Sequence, residues 1–123
     1  MIIFEFMKFE NIDKLKQLID NSNNIVIIPH TNPDGDAVGS CLALHCIFKK
    51  LKKTSIVLSP NTAPDCYSWT PSFEQIVYFE DNPKIGEKII NECDLIFTLD
   101  FNDLNRIGDL GNIINKASSN IVM

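Results

Sequence analysis

The chain has 123 residues and a mass of 13.9 kDa, and its 16 acidic and 11 basic residues give a formal net charge of −5. Hydrophobic residues make up 45% and charged residues 22% of the sequence, which is typical of one folded domain and excludes collagen-like, disordered and disulfide-scaffold classes. The negative charge argues against broad nucleic-acid binding through a basic surface, but it is compatible with an anionic substrate held through metal ions, because bound cations reverse the local field.

Hydrophobic periodicity predicts helices and strands that alternate along the chain. Apolar residues recur at helical spacing over residues 12–22, where Asn11 is the expected cap. Residues 24–29 are apolar and β-branched without polar alternation, which suits a strand buried on both faces of a parallel sheet. The other predicted helices cover residues 36–50, 83–91 and 108–117, and the other predicted strands cover 55–58, 76–79, 94–99 and 120–123. This order predicts an α/β, Rossmann-like three-layer domain with a mainly parallel sheet.

A long loop is predicted over residues 59–73, which contain three prolines. Loops of this length are often functional. Tyr67 and Trp69 in this loop are interpreted as packing residues, with stacking on a base as the alternative.

Both ends of the sequence are apolar. Phe4, Phe6 and Phe9 indicate an N-terminal strand or an apolar anchor. At the other end, residues 120–123 form an apolar run that no turn or covering element follows. We therefore expect the sequence to be part of a longer protein. The sheet edge left open by the missing strands favours a homodimer.

The cysteines and the apolar runs indicate a cytoplasmic protein without a membrane span. The four cysteines show no C-x-x-C spacing, which favours free thiols in a reducing compartment. No apolar run approaches the roughly 18 residues that a membrane span needs. Cys41 and His45 share a helix face, but no third ligand follows at metal-binding spacing, so we interpret them as core residues. Cys66 and Cys93 are interpreted as packing residues.

The residue types that carry chemistry follow two predicted strands directly. His30, Asp34 and Asp36 come after the strand at 24–29, and Asp100 comes after the strand at 94–99. Parallel strands place their carboxyl ends at one edge of the sheet, so these four side chains should converge on one cleft. Three carboxylates and an imidazole suit manganese, with magnesium as a competitor. The alternative is structural, because aspartate is also favoured at turns and helix N-caps.

Two segments of the sequence resemble the motifs of a known superfamily. The segment 30–40, HTNPDGDAVGS, resembles the first motif of the DHH phosphoesterases. Asp100 and the following NDLNRIG of residues 102–108 resemble the second motif. The order of elements and the spacing of the motifs agree from about Ile12 onward. Within the superfamily, the chain resembles most the nanoRNase-like branch of bifunctional oligoribonucleases and phosphoadenosine-phosphate phosphatases.

The resemblance implies a two-manganese phosphoesterase, with Mg²⁺ as a possible substitute. His30 and Asp34 would hold one metal ion, Asp36 the other, and Asp100 would bridge or share them. Two further side chains would contact the substrate or steady the loop, namely Asn32 and Arg106. Gly39 would allow the following helix to approach the cleft closely.

The implied activity is the hydrolysis of short oligonucleotides or of phosphoadenosine phosphate. One alternative within the superfamily is a single-strand DNA exonuclease, a pyrophosphatase or an exopolyphosphatase, and another is a non-catalytic metal-binding regulatory module. The superfamily's Asp-His-His motif and its C-terminal substrate-binding lobe do not occur in residues 1–123. We therefore expect residues 1–123 to be the N-terminal part of a DHH domain, incomplete as an enzyme when alone.

Overall fold

The computed structural model of the chain describes residues 2–3 and 9–123, with side chains from Asn11 onward. The predictions for Phe4 and Phe6 lie outside the described residues, whereas Phe9 begins a helix, so the predicted strand does not extend to it. The strands in the described part are β1 (Ile2–Ile3), β2 (Asn24–Ile28), β3 (Thr54–Ser59), β4 (Val77–Tyr78), β5 (Leu95–Thr98) and β6 (Asn120–Val122). Its α-helices are α1 (Phe9–Asp20), α2 (Gly35–Lys50), α3 (Pro83–Glu92) and α4 (Asp109–Lys116), and its 3₁₀ turns are Asp65–Tyr67, Phe73–Gln75 and Leu104–Ile107.

All six described strands belong to one parallel sheet, in the order β1-β6-β5-β2-β3-β4. The central strand β2 pairs with β3 on one side and with β5 on the other. The outer side of β6 is paired with β1, with Ile2 opposite Ile121. Because every pair is parallel, the carboxyl ends of all the strands lie at the same edge of the sheet.

Helices cover both faces of this sheet. Ile25 and Ile27 of β2 pack in one apolar cluster with α1 and α2, whereas Val26 and Ile28 pack in a second cluster with α3 and α4. All four side chains are at most 1% exposed. The predicted three-layer α/β fold and the prediction that residues 24–29 form a strand buried on both faces are therefore confirmed.

The sequence predicted the start of α3 correctly and the start of α1 incorrectly. The first helix begins at Phe9, so Asn11 lies inside it and the prediction of Asn11 as a cap is wrong. The preference of asparagine for the cap position is a weak local tendency. Here the helix already begins at Phe9, before Asn11. Pro83 opens α3 as predicted, and the Asn82 side chain caps this helix by accepting a hydrogen bond from the Ile85 amide at 3.2 Å.

His45 is a buried core residue with two polar partners, as interpreted from the sequence. Its Nδ1 lies 2.7 Å from the Ser55 hydroxyl and its Nε2 lies 3.2 Å from the side-chain oxygen Oε1 of Gln75. These contacts join α2 to β3 and to the turn Phe73–Gln75. The neighbouring Cys41 is also buried, and desolvation raises the pKa of its thiol to about 12.

Two of the residues interpreted as packing residues are instead exposed. Cys66 lies on the surface, and 80% of the Trp69 side chain is exposed. The turn Asp65–Tyr67 directs only Tyr67 into the core cluster, so the neighbours of Tyr67 face solvent. Cys93 is buried, as interpreted. Within residues 9–123, no helix combines the length and the apolar character that crossing a bilayer requires.

Candidate metal centre

The ligand loop, residues 29–34, joins the end of β2 to the start of α2 and carries the first candidate ligand, His30. The imidazole is 7% exposed, and its Nδ1 lies 2.8 Å from the Thr31 carbonyl oxygen. A carbonyl can only accept, so Nδ1 donates and the neutral ring presents the lone pair of Nε2. This Nε2 lies 3.8 Å from Asp34 Oδ1 and 3.6 Å from Asp100 Oδ2.

Asp34 combines a structural role with its place in this cluster. Its Oδ1 accepts a hydrogen bond from the Ala37 amide at 3.0 Å and so caps α2. That hydrogen bond is the main cause that lowers the pKa of the Asp34 carboxyl. The sequence-based alternative, an aspartate serving as a helix cap, is correct for this residue, and the cap also aims an ionised carboxylate at His30.

Asp100 reaches the cluster through an unusual backbone conformation. The sheet ladder continues to the Leu99 amide, which donates to the Ile28 carbonyl at 3.0 Å. The next residue, Asp100, has a φ of 66°, in the left-handed region that a non-glycine residue occupies at some cost. This conformation turns the chain away from the sheet and leaves the Asp100 carboxylate beside His30.

Together, three side chains form a group with the chemistry of a divalent-cation site. One ligand atom from each of His30, Asp34 and Asp100 lies within 4.8 Å of the other two. The donors are one imidazole nitrogen and two carboxylate oxygens, which suit a hard or borderline divalent ion. The prediction that the ends of β2 and β5 bring side chains together is confirmed for His30, Asp34 and Asp100 by these distances.

Asp36 does not belong to this group among the described residues. It is exposed in the first turn of α2, two residues beyond Asp34. Its assignment to a second metal ion therefore stays a prediction. The implied reason for Gly39 is wrong, because a Cβ atom at this position would meet no heavy atom within 4 Å.

The two predicted substrate residues lie in or against the ligand loop. Asn32 lies within it with a φ of 54°, and its side-chain amide bonds to that of Asn61. Arg106 lies in the turn Leu104–Ile107, and its carbonyl accepts a hydrogen bond from the Thr31 amide at 3.0 Å. Arg106 is exposed.

Two residues outside the ligand loop approach this part of the chain, namely Asn61, which sequence reasoning missed, and Tyr67, which it interpreted only as a packing or stacking residue. Asn61 accepts a hydrogen bond from the Asn32 amide at 2.7 Å. The ring of Tyr67 covers Gly35, where an added Cβ atom would lie 3.1 Å from the phenol oxygen. Both residues belong to the proline-containing loop after β3. Its position at the carboxyl end of a parallel strand is the signal that could have pointed to them.

Comparisons with known proteins agree with this architecture. None of the curated proteins compared matches the chain. Among solved structures, the chain is similar to an exopolyphosphatase-related protein from Bacteroides fragilis, with a TM-score of 0.93 and 31% sequence identity over 98% of this chain. It spans only 36% of the length of that protein. Residues 24–123 match the family described as the DHH family, N-terminal domain. The chain therefore belongs to the DHH family and carries the family's N-terminal domain.

Proposed function

We propose that this chain provides the metal-binding part of a divalent-metal-dependent phosphoesterase. The observation that carries the proposal is the group formed by His30, Asp34 and Asp100 at the carboxyl edge of the sheet. In a parallel α/β fold, this edge is where ligand sites open. Membership of the DHH family supports a hydrolase of this class.

The chain's own residues prepare the site for a cation. His30 would offer Nε2, because the Thr31 carbonyl holds the proton on Nδ1. Asp34 would offer an ionised carboxylate, since the Ala37 amide lowers its pKa. Asp100 would complete this set, with Asp36 serving a second ion. Divalent cations supply charge neutralisation at phosphoryl oxygens and lower the pKa of bound water. We propose Mn²⁺ with Mg²⁺ as a competitor, because a mixed nitrogen and oxygen set suits manganese.

The substrate that we propose is a short oligonucleotide or phosphoadenosine phosphate. The resemblance of the segment 30–40 to nanoRNase-like enzymes supports this choice. Arg106 is exposed and its backbone carbonyl contacts the ligand loop, which supports a role for its guanidinium in binding a phosphate group. A second candidate, hydrolysis of polyphosphate, is supported by the similarity to an exopolyphosphatase-related protein.

The test compares this chain with its Asp34→Ala variant in the presence of Mn²⁺. Three substrates are offered separately: an RNA dinucleotide, phosphoadenosine phosphate and inorganic polyphosphate. We expect release of mononucleotide or phosphate to fall by at least about tenfold in Asp34→Ala, because a ligand is lost. The matched control is Asp13→Ala, which removes an exposed carboxylate of α1 and should leave release unchanged.

The outcomes separate the hypotheses. Release from the dinucleotide or from phosphoadenosine phosphate supports the first substrate class, and release from polyphosphate alone supports the second. Mn²⁺ binding that depends on Asp34, without turnover of any of the three even when a segment with the Asp-His-His motif is supplied, favours the non-catalytic regulatory module. Mn²⁺ binding that is equal in the parent chain and in Asp34→Ala would contradict the proposed centre.

Two further expectations belong to this proposal. We propose a cytoplasmic location, which the four free cysteines support, because free thiols persist in reducing compartments. We also propose a homodimer, supported by exposed apolar side chains that a partner surface would cover. These are Trp69, Leu51 and Ile47, which are 80%, 56% and 51% exposed.

A further inference from the structure

We propose that Asn61 is a positioning residue of the metal centre, which holds the ligand loop in shape by acting through Asn32. This inference rests on the proposed function, since it concerns the same candidate site. Asn61 lies beyond the end of β3, outside both motifs that the sequence resembles.

The contact between the two asparagines is reciprocal. Asn61 Oδ1 accepts a hydrogen bond from the Asn32 backbone amide at 2.7 Å. Asn61 Nδ2 donates to Asn32 Oδ1, also at 2.7 Å. This pairing needs an acceptor and a donor side by side, which a carboxamide has and alanine lacks.

The contact lies where the loop needs support. Asn32 stands midway between the candidate ligands His30 and Asp34, and its φ of 54° is uncommon for a non-glycine residue. Such a conformation persists when surrounding contacts impose it. With the Asn61 amide in place, the chain bends at Asn32, and His30 Nε2 and Asp34 Oδ1 lie 3.8 Å apart.

Asn61 is itself well anchored. The hydroxyl of Ser59, which is 1% exposed, donates to the Asn61 carbonyl at 2.6 Å. The next residue, Thr62, donates through both its amide and its hydroxyl to Glu80 Oε1, each at 2.8 Å. The segment that carries the Asn61 side chain is therefore hydrogen-bonded both to the end of β3 and to a residue after β4.

The role of Asn61 is indirect. Both polar atoms of its side chain are engaged with Asn32, so Asn61 offers no further group to a cation. A second contact that holds the loop, from the Thr31 amide to the Arg106 carbonyl, uses backbone atoms only. The Asn61 side chain, by contrast, is a support that a substitution can remove.

The experiment compares Asn61→Ala with the parent chain in two measurements. The first is a Mn²⁺ titration followed by electron paramagnetic resonance, and the second is amide hydrogen exchange of the metal-free protein. We expect Mn²⁺ affinity to fall by about tenfold, the low end for residues that orient ligands. We also expect faster exchange at the Asn32 amide. The matched control is Asn91→Ala, which removes an exposed asparagine of α3 and should change neither quantity.

A double-variant cycle tests whether Asn61 acts through Asn32. If it does, Asn32→Ala and Asn61→Ala combined should weaken Mn²⁺ binding by less than the product of the two single effects, because Asn32→Ala removes one of the two hydrogen bonds that Asn61→Ala removes. Independent effects that multiply fully would overturn the proposal.

The remaining outcomes separate this inference from the proposed function. If the parent chain binds Mn²⁺ through Asp34 but Asn61→Ala binds equally well, the positioning role is wrong and the metal centre stands. If the parent chain binds no Mn²⁺, the metal centre fails and the positioning role fails with it.

Discussion

At the scale of single residues, backbone amides set the behaviour of two carboxylates at opposite edges of the sheet. Asp34 caps α2 near the carboxyl ends of the strands. Asp94 stands just before β5, where its Oδ2 accepts hydrogen bonds from the amides of Asn23 and Asn24 at 2.8 and 2.9 Å. These bonds tie the start of β5 to the start of β2. They also lower the pKa of the Asp94 carboxyl, with the Asn24 amide as the largest cause.

The lowered pKa gives the Asp94 contribution a definite pH dependence. Because the folded-state pKa lies below the ordinary value of 3.8, the stabilisation is present above that value and is lost as the pH falls through the folded-state pKa. We expect Asp94→Asn to lower the free energy of unfolding by about 1 kcal/mol at pH 7, a small value because the carboxylate is exposed. Urea unfolding of the variant and the parent at neutral and acidic pH measures this difference.

Asp13→Asn, which neutralises an exposed carboxylate of α1, is the control for the loss of one charge. The difference between Asp94→Asn and the parent chain should shrink toward zero in acid. A difference that stayed constant across the pH range would show that hydrogen bonds to the ionised carboxylate are not its source.

At the scale of elements, two helical glycines have opposite surroundings. A Cβ atom on Gly111 of α4 would lie 2.5 Å from the Leu104 carbonyl oxygen, so α4 packs directly on the turn that carries Arg106. A Cβ atom on Gly39 of α2 would meet no heavy atom within 4 Å. The close approach at Gly111 therefore helps to place one wall of the candidate site.

These surroundings predict effects of opposite sign. Gly111→Ala should destabilise the fold by about 1–3 kcal/mol, because backbone must move to admit the methyl group. Gly39→Ala should stabilise it by about 0.5–1 kcal/mol, because alanine is the better helix former. Thermal and urea unfolding of the two variants gives both values. Equal destabilisation by both substitutions would refute the packing argument at Gly111.

At the scale of the whole molecule, the parallel sheet gathers acidic groups at one edge of a chain that already has a net charge of −5. Asp34 and Asp100 lie on either side of His30. Carboxylates held this close repel each other unless a cation is present. A cation that binds the folded chain and not the unfolded chain adds directly to stability.

Metal addition and removal should therefore change the stability of the molecule. At a Mn²⁺ concentration about 100 times the dissociation constant, the free energy of unfolding should rise by about 2.7 kcal/mol, and a chelator should reverse the rise. Thermal unfolding with and without Mn²⁺ measures the effect. Asp13→Ala should keep it, whereas Asp34→Ala should lose most of it. A shift of the same size in Asp34→Ala would place the bound metal elsewhere.

Much of the fold and part of the site were predictable from local sequence. The apolar strand at 24–29, the helix after it and the aspartate that caps this helix are recorded in patterns of neighbouring residues. One further rule, that parallel strands share a carboxyl edge, predicted the convergence of four side chains, of which His30, Asp34 and Asp100 come together and Asp36 does not. The family resemblance rests on the same contiguous segments.

Only the tertiary structure decided which distant residues support these segments. Asn61 and Asn32 are 29 positions apart, and the pairing of β1 with β6 joins the two ends of the chain. Tyr67 meets Gly35 because the turn Asp65–Tyr67 folds back over the start of α2. Hydrophobic period and turn chemistry describe neighbours along the chain. Contacts between distant residues depend on how completed elements pack, and packing leaves no local pattern in the sequence.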